Sequence, residues 1–242
     1  MNRSPALFLA PLALSCTMAI ADPGYYVVTV YDDPGARSVD FRYWVVRSRD
    51  YGGTAWPEIG LAWNPTARWY TEILASYVGN HDAPNHLSTL NWQNDYLLTQ
   101  GQYPIDVAVH TLLVRPQNPA AGGALEFGPA LQTDVGRTQL NFNLVFERSF
   151  GSTATDPTQL KYQWQIRHRW RPGLHFGAQG FGELGYWNHW APREEQSHRA
   201  GPAVFGQLAL GAQSLSWQAA YLGGSTYATH GSMFTARVKL DF

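Results

Sequence analysis

The chain has 242 residues, a formal net charge of −1 and only 14% charged residues, against about 25% in typical soluble domains. The near-zero charge offers no basic surface for nucleic acid, and the single cysteine, Cys16, excludes a fold held together by disulfides. No stretch beyond the N-terminal region approaches the roughly 18 apolar residues of a membrane-spanning helix.

The first 21 residues are predicted to be a secretory signal peptide. Asn2-Arg3 supplies a short positive region, residues 6–14 form an apolar run, and Ala19-Ile20-Ala21 has the small-residue pattern of a cleavage site. A lipoprotein signal at Cys16 is the alternative, but Leu14 stands two residues before it, at the wrong place for that signal. Cleavage after Ala21 would leave a mature chain without cysteine.

Residues 22–37 are predicted to be an N-terminal extended segment. Within it, residues 24–32 have the composition of a strand, and Asp33-Pro34-Gly35 favours a turn after them. Two interpretations stay open. The segment is either an additional strand, or a stretch that lies inside or below the structure formed by the rest of the chain, as a plug would.

Residues 38–242 alternate between apolar and polar positions and predict twelve strands, at 38–47, 54–63, 69–78, 87–99, 105–115, 124–133, 138–149, 160–170, 174–184, 202–210, 215–222 and 232–242. Their lengths suit tilted strands that cross the hydrocarbon layer, which takes about 9–11 residues. The intervening segments alternate between long and short, as the loops and turns of outer-membrane barrels do. A two-sheet sandwich would also alternate, but it predicts no such regularity of turn length.

The final strand, 232–242, ends on an aromatic residue. Phe234, Ala236, Val238, Leu240 and Phe242 fall on one side of it. This pattern resembles the C-terminal strand of Gram-negative outer-membrane β-barrels, which carries a signal for the barrel assembly machinery. The resemblance implies an all-β fold, an antiparallel up-and-down transmembrane β-barrel in the bacterial outer membrane. Its partners would be outer-membrane lipid and that machinery. Because bacterial single-chain barrels have even strand numbers, residues 24–32 are left over.

The more polar side of each strand is expected to face the lumen, since a Lys or Arg facing lipid at mid-bilayer costs about 2–4 kcal/mol. This assignment predicts a set of pore-lining residues: Arg42, Glu58, Glu72, Asp95, Glu126, Glu147, Lys161, Arg167, Glu183, Arg237 and Lys239. The acidic members lie mainly on strands between 54 and 149, and the basic ones mainly on 160–170 and where 232–242 meets 38–47. Such a separation produces a field across the lumen that filters solutes. The alternative is that the charges pair and fill the interior.

The height of each side chain above the short turns predicts which charges meet. Glu147, Lys161 and Glu183 each lie nine residues up their own consecutive strands, so a Glu–Lys–Glu ladder is expected above mid-height. A second charged layer is expected nearer the short turns.

Other chemistry finds little support in the sequence. Five histidines lie on the predicted loops: His81, His86, His189, His198 and His230. Together with Asp82 they could supply metal ligands, but their spacing matches no metal-binding motif. Neither a metal nor another cofactor is expected. Ser76, His81 and Asp82 are close in sequence, yet no nucleophile elbow or hydrolase signature surrounds them.

The sequence therefore favours a passive outer-membrane channel for small polar solutes over an enzyme. One alternative is a closed barrel with a structural or surface-interaction role, using the long loop at 185–201 as its contact. A hydrolase at the barrel rim is the other.

Overall fold

A computed structural model describes residues 25–30, 35–48, 53–81, 83–151, 157–226 and 229–242. The predicted signal peptide, residues 1–21, lies outside the described residues, as does Asp82. The strands are β1 (Arg37–Ser48), β2 (Thr54–Thr66), β3 (Trp69–Asn80), β4 (His86–Leu97), β5 (Asp106–Pro116), β6 (Gly123–Val135), β7 (Thr138–Phe150), β8 (Gln159–Arg171), β9 (Leu174–Tyr186), β10 (His189–Trp190), β11 (Ser197–Leu210), β12 (Gln213–Thr226) and β13 (Thr229–Asp241).

Twelve of these strands form a closed antiparallel barrel. Each pairs with the next along the chain, and β13 pairs with β1 over Ser38–Ser48, which closes the ring. The remaining strand, β10, has two residues and pairs with the end of β9. Beside the closing seam, the backbone N–H of Phe242 donates to the carbonyl of Arg37 at 2.9 Å. The predicted fold, a twelve-stranded antiparallel up-and-down barrel, is confirmed.

Helical structure is confined to one short element in the part of the chain that the structure describes. A 3₁₀ helix, Pro119–Ala121, lies between β5 and β6, and Asn118 caps it by accepting a hydrogen bond from the N–H of Ala120. No helix among the described residues is long and apolar enough to cross a membrane.

The two faces of the barrel wall differ as the alternation of the sequence requires. Large apolar side chains are exposed on the outside, for example Leu61, Ile73, Trp92 and Phe142. The side chains between them point inward and are largely buried. An apolar exterior around a polar interior is the arrangement that a lipid bilayer stabilises.

Several strands extend beyond their predicted ends. β11 begins at Ser197 rather than 202, β12 ends at Thr226 rather than 222, and β13 begins at Thr229 rather than 232. The glycine-rich stretch 223–231, predicted as a long loop, is thus mostly strand. Backbone pairing continues there although the apolar alternation has ended, because ladder hydrogen bonds do not depend on side-chain polarity.

Four of the five connections at one end of the barrel are tight, and the fifth, between β4 and β5, spans residues 98–105. Residues 67–68, 136–137, 172–173 and 211–212 are two-residue turns, and we call this the short-turn end. The loop between β9 and β11, predicted at 185–201, is shortened to residues 187–196 with β10 inside it.

Candidate functional site in the barrel lumen

Residues 25–30 lie inside the barrel, between opposite parts of its wall. Tyr25 and Val27 contact an apolar cluster built from β1, β9 and β11–β13, which consists of Trp44, Phe181, Ala203, Phe205, Ala220, Leu222 and Met233. Tyr26, Val28 and Val30 belong to a second cluster with Leu97, Ala108 and Ala130 of β4–β6. Alternate side chains of the segment therefore face different walls, as in an extended chain.

Polar side chains of the wall hold the segment in place. The Tyr25 hydroxyl donates to Glu183 Oε1 at 2.6 Å, and the Tyr26 hydroxyl donates to Gln93 Oε1 at 2.5 Å. The Arg42 guanidinium stacks on the Tyr26 ring, with its Cζ 3.6 Å from the ring centroid. Because Tyr26 is buried, the pKa of its hydroxyl is raised well above the ordinary value, so the group stays protonated and donates.

The backbone of the segment also finds partners on the wall. The N–H of Val28 donates to Gln163 Oε1 at 3.2 Å, and its carbonyl accepts from Asn143 Nδ2 at 2.9 Å. Asn143 Nδ2 also donates to Gln163 Oε1 at 3.0 Å. This pair of side-chain amides therefore bonds both the N–H and the carbonyl of Val28. These bonds replace the ladder hydrogen bonds that a strand would make. None of the paired strands in the described residues includes the segment.

A buried network of ion pairs surrounds Arg42 near the closing seam. Arg42 Nε lies 2.9 Å from Asp40 Oδ2, and Arg42 Nη2 pairs with Glu72. Arg237 Nη2 reaches the same Asp40 carboxylate at 2.7 Å, across the β1–β13 seam. Tyr70 completes the network by donating to Glu72 at 2.8 Å. Two arginines and two carboxylates thus compensate one another away from water.

Two further carboxylates of the lumen, Glu58 and Asp95, accept hydrogen bonds from side chains of the wall. Glu58 on β2 accepts from the hydroxyl of Ser76 on β3. Asp95 on β4 lies 2.6 Å from Nδ1 of His110 on β5, and it also accepts from Gln93 Nε2 at 2.6 Å. Both carboxylates therefore bond within the wall.

Lys161 is the centre of a separate group farther from the short-turn end. Its Nζ lies 2.5 Å from Glu147 and 3.2 Å from Glu126, whereas Glu183 accepts from Tyr25. The Glu147–Lys161 contact of the predicted ladder is present. Lys161 also contacts Glu126, two strands away on β6, and Glu183 is its register partner on β9.

Arg167 and Lys239 lie toward the short-turn end. Arg167 Nε donates to Nδ1 of His175 on β9 at 2.8 Å, and its Cζ is 5.4 Å from the centroid of the Phe205 ring. Lys239 Nζ lies 3.3 Å from Asp241 Oδ1. Both residues line a cavity of about 360 Å³ between the segment 25–30 and the wall.

All eleven residues predicted to line a pore are thus buried or half-buried on the inner wall. Eight of them fall into three groups, around Arg42, around Lys161 and at the cavity, and Glu183 accepts from Tyr25. Glu58 and Asp95 bond locally to neighbouring strands. Passage of a solute past these residues remains a prediction.

Comparison with known proteins supports the fold through structure alone. No protein-family model and no curated protein sequence matches the chain. The solved NanC porin has a TM-score of 0.58 and 11% identity, covering 84% of this chain and 98% of its own. An outer-membrane channel from Pseudomonas putida F1 has a TM-score of 0.60 and 12% identity, covering 91% of this chain and 99% of its own. The chain has the fold of outer-membrane β-barrels.

Ser76 and His81, two of the residues considered for a hydrolase site, lie in different surroundings. Ser76 is buried, where its hydroxyl donates to Glu58 and accepts from Asn91 Nδ2 at 2.8 Å. His81 is exposed beyond the end of β3, and Asp82 lies outside the described residues. Across the described ranges, no cluster of three or more His, Cys, Asp or Glu residues could hold a metal ion.

Several residues that bind the segment 25–30 are absent from the sequence-based set. Gln93, Asn143 and Gln163 are uncharged, so a search for lumen charges passes over them, although their inward position on the alternation could have identified them. Arg199 is buried, with its Cζ 4.7 Å from the centroid of the Tyr25 ring. It was missed because the predicted strand began at 202.

Proposed function

We propose that the protein is a passive outer-membrane channel for small polar solutes, with residues 25–30 setting its aperture. The closed barrel, its apolar exterior and its polar interior support this function. The structural neighbours described above include a porin and an outer-membrane channel, which are consistent with the same role.

The observation that carries the proposal is the way in which residues 25–30 occupy the lumen. Side-chain hydrogen bonds from the wall hold the segment, and no ladder of backbone hydrogen bonds fixes it there. Side-chain bonds of this kind contribute about 0.5–1.5 kcal/mol each, so their loss changes the occupancy of the lumen without opening the barrel. The segment can therefore restrict flow while the wall stays intact.

Single-channel recording in planar bilayers tests the proposal. We expect the refolded protein to give discrete current steps, and a variant lacking residues 22–35 to give steps of several-fold higher conductance, because the deletion removes the segment that fills the lumen. A variant lacking residues 193–195, an exposed turn of the loop between β9 and β11, is the matched control and keeps the wild-type conductance. Heat-modifiable gel migration verifies that each variant is folded.

A closed barrel with a structural or surface-interaction role is the second candidate. It is favoured by the pairing of the lumen charges and by the exposed aromatic residues Trp187 and Trp190 on the loop between β9 and β11. Absence of current steps in both the wild type and the variant lacking residues 22–35 would support this candidate and contradict the channel.

A further inference from the structure

A cavity opens on the short-turn side of the lumen, beside Thr29 of the internal segment. Its volume is about 360 Å³, and its wall comes from β8, β11, β12 and β13. This size lies at the lower end of the range of about 300–1,000 Å³ that small-molecule sites occupy. The cavity is therefore large enough for a small organic solute.

The charged residues around the cavity are predominantly basic. Arg167, Arg237 and Lys239 line it, with Asp241 as the acidic residue among the lining residues described. Arg237 bonds to Asp40, and Lys239 lies beside Asp241, so both of these cations already have carboxylate partners. The remaining cation, Arg167, decides what the cavity can bind.

Arg167 is held in place by groups that leave its charge uncompensated. Its Nε donates to His175 at 2.8 Å, and its guanidinium lies over Phe205. Among the residues that the structure describes, it forms no ion pair with a carboxylate. No described residue accepts a hydrogen bond from Nη1 or Nη2, so both groups can donate to a ligand. A guanidinium presents these donors in the planar fork that matches a carboxylate.

Neutral polar side chains line the rest of the cavity. Gln165, Gln207, Gln218 and Ser216 contribute amide and hydroxyl groups to its wall. These groups can donate to or accept from the hydroxyl groups of a solute. The lining thus combines one anion-binding group with several groups for uncharged polar atoms.

We propose that this cavity binds a small hydroxylated organic carboxylate, whose anionic group lies against Arg167. The site would select such solutes on their way through the barrel, and in this respect it rests on the proposed channel function. His175 acts as a positioning residue, since it fixes Nε and thereby the orientation of the guanidinium fork.

Calorimetric titration of the detergent-solubilised protein with gluconate tests the site. Sorbitol, of similar size and hydroxyl content but without the charge, is the matched ligand. We expect gluconate to bind, sorbitol to bind at least tenfold more weakly, and Arg167→Gln to weaken gluconate binding at least tenfold. Arg169→Gln is the matched control on the same strand, because Arg169 pairs with Asp134, is half-exposed and is not among the lining residues. It should bind gluconate as the wild type does.

A second variant distinguishes loss of the binding site from misfolding of the Arg167→Gln variant. Ser216→Trp fills the cavity without changing its charge and should also abolish gluconate binding, while heat-modifiable migration confirms that the barrel is closed. Equal effects of Arg167→Gln and Arg169→Gln would overturn the proposal, as would equal binding of gluconate and sorbitol. Since the titration needs no ion flow, absence of gluconate binding with normal current steps refutes the site alone. Gluconate binding without current steps refutes the channel alone.

Discussion

At the residue scale, Arg42 is a buried side chain of the lumen that has several partners. It is 1% exposed, pairs with Asp40 and Glu72, and covers the ring of Tyr26. A buried charge of this kind is tolerated because its partners are present, and removal of one member leaves another uncompensated. Arg42 also joins the wall to the internal segment.

We expect Arg42→Met to lower the free energy of unfolding by about 3–5 kcal/mol, because it leaves the Glu72 carboxylate buried without its arginine. Urea titration of the barrel in lipid vesicles measures the change. Arg169→Met removes the exposed pair with Asp134 and should cost less than about 1 kcal/mol. Equal losses in the two variants would contradict the interpretation of the Arg42 network.

The contacts of Lys161 illustrate what a sequence cannot supply at this scale. Counting residues from the short turns predicted contact with Glu147 and Glu183, and the Glu147 contact is present. The Lys161 side chain also reaches Glu126 on β6, while Glu183 accepts from Tyr25. Strand tilt and side-chain length determine which carboxylates Lys161 contacts. Neither follows from alternation, which determines only the face on which a residue lies.

At the scale of elements, the twelve strands could be predicted because each has one face toward lipid and one toward the interior. Residues 24–32 lacked that contrast, since Tyr25 to Val30 are mostly apolar on both sides. The structure gives the reason for the described part, residues 25–30, which contact apolar clusters on two different walls. A strand buried on both faces and a segment enclosed by a barrel have the same pattern, so composition alone could not separate them.

Close approach of β8 and β9 constrains one glycine of the wall. A Cβ at Gly177 on β9 would overlap the carbonyl oxygen of Ile166 on β8. We therefore expect Gly177→Ala to lower the free energy of unfolding by about 1–3 kcal/mol through overpacking, as measured by urea titration.

Gly223 on β12 provides the matched control for this prediction. No atom of the described residues lies within 4 Å of a Cβ built there. Gly223→Ala should therefore stay within about 0.5 kcal/mol of the wild type. If Gly177→Ala is as well tolerated as Gly223→Ala, the strands are not as close as described.

At the scale of the whole molecule, the barrel reverses the usual arrangement of a globular protein. Charged residues such as Asp40, Arg42 and Glu72 are buried inside it, and its outer surface carries large aliphatic and aromatic side chains. In water such a surface would promote association, whereas lipid solvates it. The apolar outer surface of the barrel is therefore consistent with a location in the lipid of the outer membrane.

Substitution on the outer surface tests this orientation. Ile73, near the middle of β3, is 51% exposed, and Ile73→Arg should lower the free energy of unfolding in vesicles by about 2–4 kcal/mol, because the charge enters the hydrocarbon. Val135, at the end of β6 beside a two-residue turn, is 64% exposed, and Val135→Arg should cost about 0–1 kcal/mol. Equal costs at the two positions would contradict the placement of the bilayer around the middle of the strands.

The pairing of β1 with β13 also brings together two parts of the chain that are far apart in sequence. Asp40 and Arg237, which bond across this seam, are 197 residues apart in the chain. The ring is complete only when this pair has formed and the ten barrel strands between its members have paired with their neighbours. Until then, two strand edges have unpaired backbone groups. Contacts this distant in sequence are associated with slow folding.

Because residues 25–30 precede β1, they are either surrounded as the ring forms or must enter it afterwards. The time at which the lumen becomes occupied is therefore linked to the time at which the seam closes.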